Sequence, residues 1–248
     1  MLDYDTEADR YDETRGGVPR AAAAAEAVLS LLPPTTGTLV DVACGTGLVT
    51  ERLTRPGLRV LGFDAAHGMA RKAVRRLPGR VARADGRTLP LPDASVDAVS
   101  AVWLLHLVPF ADEIVAEAAR VLRPGGVLVV TVDKDAAHDV GSDIDRILAP
   151  RRSHDRASDR ADRVGAHAAA HGLVPSGVSR FTGHGQGAHP RGTADRLRRG
   201  HYASWFGGGP RACAALAEEL AALPDQDRRR ADPVYRLVSY AKPPVTPA

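Results

Sequence analysis

An α/β fold built on a seven-stranded, mostly parallel sheet is predicted by three observations. Short β-rich runs alternate with helical patterns through the first half of the chain, and such alternation requires parallel strands joined by crossovers. The run Ser95 to Leu104 is apolar nearly throughout, as a strand covered on both faces must be. The first two strand-like runs each carry an acid at their end, Asp41 and Asp64, and Asp85 closes the third.

The elements follow in order. Residues 3–32 read as polar and then helical, and the Ala-rich run Ala21 to Leu32 is a strong helix former stopped by Pro33-Pro34. Thr38 to Val42 is the first strand. Leu48, Val49, Arg52 and Leu53 recur at helical spacing, which predicts a helix over about 47–55 before Pro56-Gly57. Arg59 to Asp64 is the second strand, Gly68 to Leu77 an amphipathic helix, and Val81 to Ala84 a brief third strand. Ser95 to Leu104 is the fourth strand. Phe110 to Leu122 is a helix with Ile114, Val115, Ala118, Val121 and Leu122 on one face. Pro124-Gly125-Gly126 turns the chain into a fifth strand, Val127 to Val132.

The second half is less regular. Residues 154–171 read as a polar helix, Val174 to Thr182 as a sixth strand, and 191–203 and 211–222 as two helices in an insertion over 183–231. Val234 to Ala241 alternates as a last strand should. The whole is one domain: 1–36 a cap, 37–182 the core, 183–231 an insertion, 232–248 the last strand and tail. The charge alternation from Arg151 to Arg163 reads as a solvated face.

Composition narrows the function classes. The chain has 248 residues, 44% of them hydrophobic, enough to bury one core. The net charge is only +3, and the basic residues are arginine apart from Lys72, Lys134 and Lys242. Aromatics make up 4%, too few for the basic, aromatic-rich face that nucleic acid needs, so nucleic acid is not the expected partner. The two cysteines, Cys44 and Cys213, allow neither a disulfide framework nor a metal spacing. The acidic first residues show no signal core, and no run is long and apolar enough to span a membrane. A cytoplasmic protein acting as monomer or homodimer is the expectation, with no membrane partner.

The most informative stretch is Thr38-Leu-Val-Asp-Val-Ala-Cys-Gly-Thr-Gly47. Strand, glycine turn and helix together make a nucleotide-type site, because glycine lets a ligand approach the backbone and a helix start offers free N–H groups. A dinucleotide fingerprint requires a third glycine, and Thr50 stands in its place. Asp41 beside the turn is awkward against a pyrophosphate but suits a ligand with an ammonium and a sulfonium. That ligand is S-adenosyl-L-methionine.

The stretch resembles the first motif of class I methyltransferases that use this cofactor, and the chain most resembles the small Methyltransf_11-type group, which acts mostly on small molecules. The likeness covers about residues 4 to 132 and the last strand. The resemblance implies a Rossmann-like sheet with an antiparallel last strand, an N-terminal helical cap, and a helical insertion before that strand. It also implies a set of cofactor contacts. Asp64 would hold the ribose hydroxyls, two vicinal donors for one carboxylate. Asp85 would accept from the adenine amino group, with the backbone N–H of Gly86 reaching the ring. Ala43, Gly45 and Gly47 would form the turn under the ligand, with Ala65, Met69 and Val102 around it. Tyr11 and Arg15, in a segment opened by Tyr4, would close over the methionine end, Arg15 on its carboxylate. Ala43 stands where glycine is commoner, tolerated if the backbone there keeps an ordinary φ.

His106 follows the fourth strand, where the family often has a pocket histidine. It is the candidate general base, with a hydrogen bond to the cofactor or packing as its alternatives. His184 and His189 lack the carboxylate or thiolate that a metal would need, so no metal is expected. Trp103, Tyr202, Trp205 and Phe206, with His184 and His189, are expected to wall the pocket for a small-molecule acceptor. Methyl transfer to that acceptor is the expected function. An NAD-dependent oxidoreductase, a non-catalytic binding module and an RNA methyltransferase are its rivals.

Overall fold

The computed structural model describes residues 4–152, 157–200, 206 and 209–244. Two short helices, α1 (Tyr4–Glu7) and α2 (Tyr11–Thr14), precede the longer α3 (Gly17–Leu29). The sheet and its crossovers then follow: β1 (Thr38–Val42), β2 (Arg59–Asp64), α4 (His67–Arg76), β3 (Val81–Arg83), β4 (Val96–Ala101), α5 (Ala111–Val121) and β5 (Leu122–Val132). After these come α6 (Asp143–Leu148), α7 (Ala161–Ala170), β6 (Val174–Thr182), α8 (Pro190–Arg198), α9 (Gly209–Ala221) and β7 (Val234–Ala241).

The seven strands lie in the order β3-β2-β1-β4-β5-β7-β6. The first five run parallel, and β7 enters antiparallel between β5 and β6. The Rossmann-like sheet and its antiparallel last strand are thus as expected. Side chains alternate across it. Leu39 joins the α3 side with Ala24 and Val28, whereas Val40 joins the α5 side with Ile114 and Val115. Helices α6, α8 and α9 close a separate small core around Leu197, Leu216 and Leu220. No helix among the described residues is long and apolar enough to cross a membrane.

Several local expectations are corrected. The helix expected over 47–55 is one 3-10 turn, Thr50–Arg52. After a single i to i−4 bond from Glu51 to Gly47, the bonds tighten to Arg52 on Val49 and Leu53 on Thr50. Thr50 is pulled inward by its hydroxyl bond to Asp41, and Pro56 lies too close for another helical turn. The fourth strand stops at Ala101 because Trp103 adopts a left-handed φ of 57°. Helix α6 was not expected, although Ser142 and Asp145 form a complete capping box at its start.

Candidate functional site

Order reverses between β1 and β4. Strand β1 leads outward to β2 and β3, and β4 leads the other way to β5. Crossovers diverge there and leave a crevice beyond the strand ends, the usual ligand position in open α/β sheets. A cavity of about 760 Å3 lies there. It is walled by the ends of β1, β2 and β4, by the segment after β4, and by α2 and the start of α3.

Asp41 sits at the cavity floor, 3% exposed. Thr50 Oγ1 donates to its Oδ2 at 2.6 Å and Ser100 Oγ to its Oδ1 at 2.7 Å. Burial raises its pKa to about 6, and those two hydroxyl bonds restrain the rise. Asp64 ends β2. Its Oδ2 accepts the Gly45 N–H at 2.7 Å and its Oδ1 the Ala66 N–H at 2.9 Å. Burial raises this carboxyl also, against both backbone bonds. Each Asp64 oxygen keeps a further lone pair, so the carboxylate can still accept two donors side by side.

Three backbone positions on the turn take left-handed φ, Ala43 at 56°, Gly45 at 58° and Gly47 at 80°. Ala43 therefore lacks the ordinary φ at which alanine is easily tolerated, and its methyl group is held in a conformation that costs energy. A Cβ built on Gly45 would meet nothing within 4 Å, which leaves open space beside the cavity. Gly47 differs. A Cβ there would lie 3.1 Å from the Ala73 Cα, so this glycine serves the approach of α4.

The N-terminal segment lines the cavity, and both α1 and α2 are tied down. Asp5 in α1 accepts the Gly68 N–H at 2.6 Å, at the start of α4. Asp12 in α2 accepts Thr46 Oγ1 at 2.5 Å and Arg76 Nη2 at 2.6 Å. Tyr4 and Tyr11 stand with ring centroids 6.2 Å apart, and both line the cavity. Burial pushes the Tyr4 hydroxyl up to about 12.

Of the residues expected at the ligand, the cavity brings together Tyr11, Arg15, Asp41, Ala43, Gly45, Asp64, Ala65, Met69, Val102 and His106. Gly47, Asp85 and Gly86 lie off its wall. Asp85 is held by Arg87, whose Nη2 donates at 2.7 Å and whose backbone N–H donates at 2.9 Å. A Cβ on Gly86 would strike Val42 at 2.8 Å and Ile114 at 2.9 Å, so that glycine permits packing.

His106 lines the cavity as a neutral imidazole. Burial and the nearby cationic Lys134 lower its pKa to about 3. A group this reluctant to hold a proton is a weak general base. The insertion contributes differently from expectation. His189 Nδ1 accepts the Gly192 N–H at 3.1 Å and caps α8, His184 is exposed, and Phe206 is buried in the small core with Leu216 and Leu220. Tyr202 and Trp205 lie outside the described residues. Among the described residues no group of three or more histidine, cysteine, aspartate or glutamate side chains is placed to hold a metal. Sequence reasoning passed over Arg20, Leu107, Val108 and Phe110, all on the wall. Arg20 was masked by its place in an Ala-rich helix.

Residues 40–130 match the family model described as a methyltransferase domain. An uncharacterized chloroplastic methyltransferase of Arabidopsis thaliana is 36% identical over 129 residues, covering 47% of this chain and 36% of the relative. The demethylmenaquinone methyltransferase of Thermobifida fusca is 35% identical over 136 residues, covering 51% of this chain and 58% of that protein. The chain thus matches less than two thirds of either relative's length. A likeness of fold extends over nearly the whole chain. The crystal structure of the [4+2]-cyclase SpnF superposes with a TM-score of 0.62 at 21% identity, covering 97% of this chain and 94% of that one.

Proposed function

We propose that the chain transfers a methyl group from S-adenosyl-L-methionine to a small-molecule acceptor. The observation that carries this reading is the pair of buried carboxylates at the crevice, Asp41 and Asp64, neither of them paired with a cation among the described residues. A buried carboxylate without a counter-charge favours a ligand that brings one. Asp64 suits two vicinal hydroxyls, and Asp41 suits the cationic amino-acid end of the cofactor. The open space over Gly45 accommodates the ribose. Asp85 can meet an adenine amino group only by sharing its oxygens with Arg87. The volume falls within the roughly 300–1,000 Å3 of small-molecule sites.

The cofactor supplies an electrophilic methyl on sulfur. The chain's own residues bind, orient and exclude water. Tyr4 and Tyr11 close the N-terminal side, while Trp103, Leu107, Val108 and Phe110 give an apolar wall on the acceptor side. Holding the acceptor in line, away from water, is the main catalytic contribution available here. His106 serves as a neutral hydrogen-bonding group rather than a proton acceptor. An acceptor with an aromatic body fits that wall, and the Thermobifida relative is named for such a compound.

Calorimetric titration with S-adenosyl-L-methionine and with NAD tests the reading. Binding of the former alone is expected. Binding of NAD alone would overturn the cofactor assignment. The RNA alternative fails if added RNA neither binds nor accepts a methyl group at low salt.

A further inference from the structure

The cavity wall carries two guanidinium groups, Arg15 and Arg20, and the cofactor brings one carboxylate. Among the described residues neither arginine forms an ion pair with the acids beside it. Asp12 is taken by Arg76 and Thr46, Asp41 by two hydroxyls, and Asp64 by two backbone N–H groups.

Arg20 is the more deeply placed. It is 7% exposed, and its guanidinium carbon lies 3.5 Å from the centroid of the Trp103 indole. Its Nη1 donates to the Arg15 carbonyl at 2.6 Å. Arg20 Nε and Trp103 Nε1 are both buried donors with no acceptor among the described residues. The stack is built in advance. Trp103 donates its backbone N–H to Thr131 Oγ1 at 3.1 Å, and its ring is braced edge-on by Phe181 at 5.4 Å and Tyr235 at 5.5 Å. A desolvated cation without a counter-charge is unfavourable, and a guanidinium flat on an indole is well suited to a planar anion.

We propose that the Arg20–Trp103 stack binds an anionic group of the methyl acceptor, so that the acceptor is a planar aromatic acid or phenolate rather than a neutral molecule. This inference rests on the methyl-transfer reading of the cavity. The aromatic body would lie along Leu107, Val108 and Phe110. A phenolate arrives already ionised, which agrees with a wall whose histidine holds protons poorly. An anion beside the sulfonium is also favoured by its charge.

The test uses the full chain saturated with S-adenosylhomocysteine and two matched probe pairs, 2-naphthoate against 2-naphthamide and 4-nitrophenolate against 4-nitroanisole, titrated by calorimetry. Each anion is expected to bind at least about tenfold more tightly than its neutral partner, and the pair with the larger ratio separates a carboxylate from a phenolate. Arg20→Gln should abolish the ratio while S-adenosylhomocysteine affinity stays within about threefold. Arg20→Lys should restore it in part, and Arg15→Gln should weaken S-adenosylhomocysteine instead. Equal binding of anion and neutral probe in the unaltered protein, or no binding of any probe, overturns the inference. Loss of S-adenosylhomocysteine binding in Arg20→Gln, with the ratio retained, would assign Arg20 to the cofactor carboxylate and also overturn it. Failure of S-adenosylhomocysteine to bind the unaltered protein would remove the cofactor reading, and this inference with it.

Discussion

Asp41 offers a pH-dependent handle on the proposed cofactor site. It is fully buried, its two oxygens accept from Thr50 and Ser100, and its pKa in the free protein is about 6. A cationic ligand group gains from the ionised carboxylate and not from the protonated one. Below about pH 6 the free protein must therefore lose a proton before it binds. Affinity then falls about tenfold for each pH unit, roughly 1.4 kcal/mol. Dissociation constants for S-adenosylhomocysteine, measured by calorimetry between about pH 5 and 8, should be flat above the break and steep below it. Asp41→Asn should remove most of the break and weaken binding by roughly 1.5–3 kcal/mol at neutral pH, the range for a hydrogen bond to a charged group. Thr50→Val deletes one of the bonds that restrain the rise, so its break should move upward. The same break in Asp41→Asn as in the unaltered protein would refute this account.

Four further outcomes are expected. Asp64→Ala should weaken S-adenosyl-L-methionine by roughly 1.5–3 kcal/mol in calorimetry, and unchanged affinity would dismiss the ribose assignment. Gly45→Ala should retain the fold while weakening the ligand, whereas Gly47→Val should lower the melting temperature through its clash with Ala73, and thermal melts with titrations separate the two effects. The cap should exchange amide hydrogens faster in Arg76→Ala, which cuts the tie to Asp12, and ligand should slow exchange over residues 4–15; identical exchange with and without ligand contradicts a closing cap. Unfolding lets His106 and His138, held near pH 3 and 4, bind protons below about pH 6.5, so acidification from there removes stability. Asp41 and Asp159, raised to about 6, work the other way below that pH. His106→Gln should therefore recover about 1–2 kcal/mol at about pH 5 relative to its value at pH 7, read by urea denaturation.

Much of the fold was legible in the sequence because its signals are local. Strands β2, β6 and β7 run over the residues expected, Arg59–Asp64, Val174–Thr182 and Val234–Ala241. Acids at strand ends and a glycine turn marked the cavity floor. What was not legible depends on distant partners. The helix after the turn failed because Thr50 answers to Asp41 across the site, which no helical spacing reveals. Gly47 and Gly86 look like ligand glycines in sequence, yet Ala73, Val42 and Ile114 require them. Asp85 reads as a free acid until Arg87 is seen to grip it from two residues on. Arg20 sits in a helix-forming run and shows its meaning only once Trp103 is folded beneath it. The start of α6 is a different case, since Ser142 and Asp145 announce it in sequence.

The most direct test is the structure of the complex with S-adenosylhomocysteine. Its ribose hydroxyls should lie within hydrogen-bond distance of both Asp64 oxygens, its amino group should approach Asp41, and its sulfur should face the space between Trp103 and His106. A ligand bound outside the crevice, or one whose ribose turns away from Asp64, would contradict the account.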